Sequence, residues 1–401
     1  MSSSKHILPF QLAILLLAIV SVSIGCGRTA QHPPESDHQI WRFAIEESEG
    51  SVQHVYATQF KRQIEAATSG GVEVVVYPYG TLGTSTQITE QLNLGALEFA
   101  MASPGSIGKF IPETQVFLLH FVLSNSDIVN QQILSSPEVL ETFDTLYRDK
   151  GLKLLSIFPE GEMVWTTQKE VRSPKDFQGV KIRVMTSPML IDAYAAYGAS
   201  PTPLPYAEVY SALQLGMVDA QVNPIFAIER QKFFEVTEWL IFPGHAHFVT
   251  TVVANQEFYD NLSEEDQAIV DQTIADLNDY IFEQQVQFQS DRLKAIVREM
   301  QQKRAKLNIC GDLSDFIESL STQERQELID DNPFLNITPA LTPAERERFQ
   351  QASKEARKTF LQIGGPKADE ILSLIRQVKN RVLDNAAQVE PQSESRLPGP
   401  E

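Results

Sequence analysis

Cysteine is almost missing from this chain. Only Cys26 and Cys310 occur in 401 residues, and they form neither a disulfide framework nor a zinc site. Positive charge is scarce as well: 33 Lys and Arg stand against 52 Asp and Glu, a formal net charge of -19. Such a surface excludes nucleic acid as a partner, because phosphate binding needs clustered Lys and Arg. It does not exclude a small anion, since one buried Arg can outweigh a screened surface charge. The chain also lacks a Ser nucleophile elbow, a Walker loop, a dinucleotide fingerprint and a Cys-x-x-Cys pair. No enzyme and no cofactor is expected. His245 and His247 are spaced i, i+2 as metal ligands can be, but no acid or Cys lies near them in sequence, so no metal is expected. Glu160 and Glu162 have the same spacing and are read as solvated or structural.

At the N-terminus, Lys5 precedes an apolar run from Ile7 to Val20, interrupted by Pro9 and Gln11 and short for a membrane span of ~20 residues. It ends in S-V-S-I-G-C, with small Gly25 before Cys26. This pattern predicts a bacterial lipoprotein signal over residues 1–25, with Cys26 as the lipidated first residue, although Ser23 stands where Leu is usual. An uncleaved anchor and an ordinary secretory signal are the alternatives. All three put the body of the protein outside the cytoplasm. Residues 26–39 read as a polar, Pro-containing tether.

Beyond the tether, strands and helices alternate. Trp41–Glu46 alternates like a strand, and Val52–Ala67 carries Val52, Tyr56, Phe60 and Ile64 at helical spacing. Val72–Tyr77 is a strand, Thr86–Gly95 a helix and Leu97–Ala102 a strand. The pattern restarts with strands at Leu152–Phe158, Met163–Thr167 and Val180–Met185, helices at Pro188–Tyr197 and Tyr206–Leu215, and a strand at Phe248–Ala254. This is the pattern of an α/β fold. From Ser263 the chain turns helical, with Ser as N-cap and acids in the first turn. Asp312–Leu341 reads as an insertion. A helix bearing Phe349, Ala356 and Phe360 breaks at Gly364-Gly365-Pro366 and resumes with Ile371, Ile375 and Val378. Residues 386–401 are predicted to be a disordered tail.

One polar pair stands out. In K-I-R-V, alternation puts Ile182 and Val184 on one face and Arg183 on the other. A guanidinium there can hold a carboxylate with two hydrogen bonds, or it can bridge to Asp176 or Glu208. Asn223 precedes Pro224, which keeps its backbone extended; its amide can donate to a ligand or close its own turn.

From about Phe43 to about Val382 the chain resembles the solute-binding proteins of TRAP transporters, the tripartite carriers of organic acids. The resemblance is carried by S-G-G-V-E-V-V-V-Y-P-Y-G-T-L-G, F-I-P-E, H-F-V-L-S-N and, without a gap, G-A-S-P-T-P-L-P-Y-A-E-V-Y-S-A-L-Q. The last run is similar to the sialic-acid-binding branch. The resemblance implies a two-lobe periplasmic fold over residues 40–385, with hinge strands and a long spanning helix. Lobe I would take about 40–160 and 249–288, and lobe II about 161–248 and 289–385. It also implies that Arg183 binds the ligand's carboxylate, Asn223 makes a second polar contact and Tyr206 packs on the ligand. The departures matter too. Met163 stands for a second arginine, Glu46 for a pocket Asn, and Ser103 and Val222 for two Glu residues, so sialic acid is not the expected ligand. The run G-E-M-V-W, ending in Trp165, resembles branches that bind keto acids. The expected protein is therefore a periplasmic, lipid-anchored receptor. It would capture a small organic acid anion and deliver it to integral membrane TRAP subunits. A sensor or partner-binding lipoprotein that keeps the fold is the alternative.

Overall fold

Residues 38–389 are described by the computed structural model. Cys26, the signal segment and all but the last two residues of the tether lie outside the described residues, as does the tail beyond residue 389. Eleven strands occur among the described residues: β1 (Gln39–Ala44), β2 (Val72–Tyr77), β3 (Phe99–Ala102), β4 (Leu152–Thr167), β5 (Lys181–Val184), β6 (Ser200–Pro203), β7 (Ala220–Pro224), β8 (Trp239–Ile241), β9 (His247–Asn255), β10 (Leu307–Cys310) and β11 (Leu335–Thr338).

They form two ladders joined by one strand. In the first, β1 lies in parallel between β2 and β3, and β9 runs antiparallel between β3 and the first part of β4. In the second, the end of β4 pairs antiparallel with β7 and β8; β7 continues through β5 to β6, and β8 through β10 to β11. β4 thus replaces the two separate strands expected at Leu152–Phe158 and Met163–Thr167. Pro159 and Gly161 suggest a break, but both stay extended because β9 pairs with them, Pro159 to Val249 and Gly161 to Phe248. The register shifts between them, and Gly161 takes φ +115, a conformation that side-chain residues avoid.

The helix Glu264–Gln302 spans both ladders with 39 residues, about 58 Å at 1.5 Å per residue. Ser263 caps it by accepting from the Asp266 N–H at 3.0 Å, and three acids fill its first turn. Val270, Ile274, Leu277 and Ile281 pack with Phe43, Phe60 and Phe99 of the first ladder's core. Leu293, Ile296, Val297 and Met300 pack with Leu240 and Ile309 of the second. Between these two anchors only Gln285 is buried.

Two further expectations change. Asp312–Leu341 is part of the fold rather than an insertion. Its β11 extends the second ladder in parallel with β10, and Leu313, Phe316 and Leu328 enter that core. A four-residue strand is too short to declare itself by periodicity. The final helix, Ala368–Val389, runs past Asn385, so residues 386–389 belong to a helix instead of the tail. Its Ile371, Ile375 and Val378 pack with Ile133 and Phe143, residues assigned by sequence to the first lobe.

Candidate functional site

The ladder β4–β7–β5 sorts the candidate residues by face. Val164 opposes Asn223, Thr166 opposes Gln221, and Gln221 lies beside Arg183. Alternation therefore puts Arg183, Gln221 and Asn223 on one face, and Met163, Trp165, Ile182 and Val222 on the other.

Arg183 is 3% exposed. Its Nε and Nη2 both donate to the Leu204 carbonyl, at 3.0 and 2.8 Å. Among the described residues no carboxylate pairs with it. Asp176 is occupied in a capping box with Ser173, and Glu208 is exposed without an ion pair. Burial pulls the guanidinium down to about 10. Asn223 lies within β7 rather than in a turn, and its Nδ2 donates to the Gln221 side chain. Gln221 in turn donates to Thr166 Oγ1 at 3.0 Å.

Tyr206 opens a short 3-10 turn, Tyr206–Glu208, ahead of the helix Val209–Gln214. Its ring meets Tyr79 edge-on at 5.7 Å. Tyr79 follows β2, so this tyrosine pair links the two ladders. Arg183 acts electrostatically on both hydroxyls; Glu46 acts on Tyr79, and Glu47 on Tyr206. Burial, the largest influence, holds both phenols above their ordinary range.

Three carboxyls are buried in the first ladder and its flanks: Glu46, Glu47 and Glu160. Glu46 accepts from Ser103 N at 2.8 Å and from Ser106 Oγ. Gln53 ties the group together, accepting from Glu46 N at 2.8 Å and donating to Glu160 Oε1 at 3.0 Å. Glu47 Oε2 and Glu160 Oε2 have no hydrogen-bond partner. Burial raises all three carboxyls, and the neighbouring carboxyls raise Glu47 and Glu160 further. Of the two roles read from sequence for Glu160, solvated or structural, burial excludes the solvated one. Glu162 is separate and accepts from Gly244 N at 2.6 Å.

The remaining candidates lie elsewhere. Ser103 is fully buried and supports Glu46 through its backbone. Ser103, Met163 and Val222 line a cavity of about 30 Å³ together with His120, Tyr194 and His245. That volume suits a single water. Trp165 is fully buried, and its Nε1 donates to Tyr194 OH at 3.0 Å and His245 Nε2 at 3.1 Å. Its role here is packing, on the face away from Arg183. Trp165→Phe should cost about 1–2 kcal/mol in a denaturant titration, because two buried acceptors lose a donor. Solute affinity should not change; a large loss would return Trp165 to the binding face. His247 finds an acid that sequence proximity did not reveal, Asp127 at 3.0 Å. No group of three or more His, Cys, Asp and Glu suited to a metal occurs among the described residues.

Sequence reasoning did not single out Tyr79, Glu47 or Gln221. Tyr79 had a local signal, an aromatic between Pro78 and Gly80 directly after a strand. Gln221 becomes visible only once residues 220–224 are known to be a strand.

Compared with known proteins, residues 43–308 match the family described as bacterial extracellular solute-binding protein, family 7. The chain belongs to the TRAP solute-binding proteins. As a member it is an extracytoplasmic binding protein and not an enzyme. UehA of Ruegeria pomeroyi, an ectoine/5-hydroxyectoine-binding periplasmic protein, is 34% identical over 366 residues, covering 90% of this chain and 94% of UehA. TeaA of Halomonas elongata, an ectoine-binding periplasmic protein, is 46% identical over 231 residues, covering 57% of this chain and 67% of TeaA. The solved structure of the ectoine-binding protein from the Halomonas elongata TeaABC TRAP transporter matches with a TM-score of 0.73 at 33% identity, covering 86% of this solute-binding protein and 100% of that one.

Proposed function

We propose that this solute-binding protein captures a compact zwitterion of the ectoine kind and delivers it to the membrane subunits of a TRAP transporter. Ectoine carries a carboxylate on a ring with a delocalised positive charge. Arg183 would take the carboxylate through its free guanidinium edge, with Asn223 as a second donor. Glu46, backed by Glu47 and Glu160, would accept from the cationic ring nitrogens. Tyr79 and Tyr206 would flank the ring. The carrying observation is a buried guanidinium that has no acidic partner among the described residues and that acts on the same tyrosine pair as Glu46 and Glu47, two of three buried carboxyls. Unpaired buried charges are costly, and a ligand bearing both complementary charges would relieve both sides. The relatives' ligands support the same class.

In this reading the two ladders form two lobes that close on the solute by flexing near Gly161. Attachment through Cys26 belongs to the proposal and is supported by the sequence motif alone.

Thermal unfolding of the protein with ectoine, pyruvate or choline tests the reading. Ectoine at a hundred times its Kd should stabilise by about 2.7 kcal/mol, a shift of a few degrees. Pyruvate and choline, each with one of the two charges, should give little shift at the same concentration. An equal shift with pyruvate would replace the zwitterion by a simple carboxylate.

A further inference from the structure

A second cavity, of about 520 Å³, lies beside the end of the β4–β9 pairing. This is the volume of a small-molecule site. It shares no lining residue with the Arg183, Tyr206 and Glu46 cluster. Its base is the cross-strand pair Glu162 and His247, at the point where β4 leaves β9. Asp127 closes one side, and Leu313 and Phe316 of the second ladder's core close the other. The middle of the long helix forms the rim, where Val286 is 47% exposed.

The lining has a charge imbalance. Asp127, Glu162, Asp312 and Asp315 face a single Arg, Arg346. That guanidinium is already engaged with Asn125 Oδ1 and the Gly244 carbonyl, and it stacks over the Phe121 ring at 5.5 Å. Burial raises Glu162, as expected for a carboxylate lacking full compensation. His247, 5% exposed, holds Asp127 through Nε2 at 3.0 Å, while its Nδ1 has no hydrogen-bond partner. A cavity of small-molecule size, an apolar wall, surplus carboxylates and one buried imidazole nitrogen without a partner therefore coincide.

We propose that this cavity is a second ligand site, one that takes a small organic cation with a flat apolar body. The charged end would meet Asp127 and Glu162, and the apolar end would lie against Leu313 and Phe316. An amidinium suits the carboxylates because its planar donors match their geometry.

Benzamidinium is the probe, titrated calorimetrically into the full-length protein, with neutral benzamide as its isostere. Benzamidinium should bind, and benzamide should bind at least about tenfold more weakly. Val286→Trp fills the cavity from an exposed helix position without changing charge; Glu162→Gln removes one charge at nearly constant shape. Each should weaken benzamidinium by about tenfold or more. Glu46→Gln, outside the lining of this cavity, should leave its affinity unchanged. The proposal fails if wild type does not bind the probe or if benzamide binds equally well. It fails equally if binding survives Val286→Trp or Glu162→Gln undiminished, or is lost in Glu46→Gln.

Discussion

Arg183→Ala should bind the solute about a hundred- to a thousandfold more weakly, a loss of about 3–4 kcal/mol. The buried carboxylate of the ligand would then have no cation opposite it. The same change should barely affect the empty protein. Arg183 is buried without an acidic partner, so its removal relieves a desolvation cost. Against this, the Leu204 carbonyl loses two donors, which costs about 1 kcal/mol. A melting temperature close to wild type together with lost binding is the expected combination. Arg183→Lys should fall between, since the charge stays and the planar fork is lost. Wild-type affinity in Arg183→Ala would remove Arg183 from the site. A collapse in stability would make the residue structural.

The second large effect concerns pH. In the folded protein burial raises Glu46, Glu47 and Glu160, and repulsion adds to it at Glu47 and Glu160, Glu160 toward neutrality, from an ordinary value of 4.5. The folded state therefore holds protons that the unfolded state releases. These three carboxyls therefore contribute stability that is greatest at acid pH and is lost as pH rises from about 4.5 toward neutrality. Glu160→Gln removes an ionisable group while keeping an acceptor for Gln53. At pH 8 it should be about 2 kcal/mol more stable than wild type, with the difference fading toward pH 4. A cationic solute favours the ionised carboxyls, so capture should tighten as pH rises through the same window. Denaturant titrations at several pH values check the first part, and calorimetry checks the second. Parallel stability curves for the two proteins would mean that Glu160 does not titrate in this range.

What could be read without a structure depended on how far the information had to travel along the chain. Arg183 between Ile182 and Val184 declares its face by alternation alone, and Ser263 with its acids declares a helix start. Trp165 does not declare its face, because a strand has two and only the register with Val222 shows which one it uses. The unbroken β4 was hidden for a related reason: Pro159 and Gly161 are local breakers, and distant β9 overrules them. The carboxyl cluster joins Glu46 and Glu47 to Glu160 through Gln53, contacts that span more than a hundred positions and leave no periodic trace. Asp127 meets His247 across a similar distance.

The 39-residue helix carries a mechanical consequence. Its two ends are packed into different cores, while between Ile281 and Leu293 only Gln285 is buried and the other contacts are mostly polar, such as Gln289 to Asp127 and Arg292 to Glu229. Any change of angle between the ladders must bend that middle, which makes it a leaf spring. Capture would load the spring and release would discharge it. Some affinity would then be forgone in exchange for a stored recoil, which would suit a carrier that has to let its cargo go.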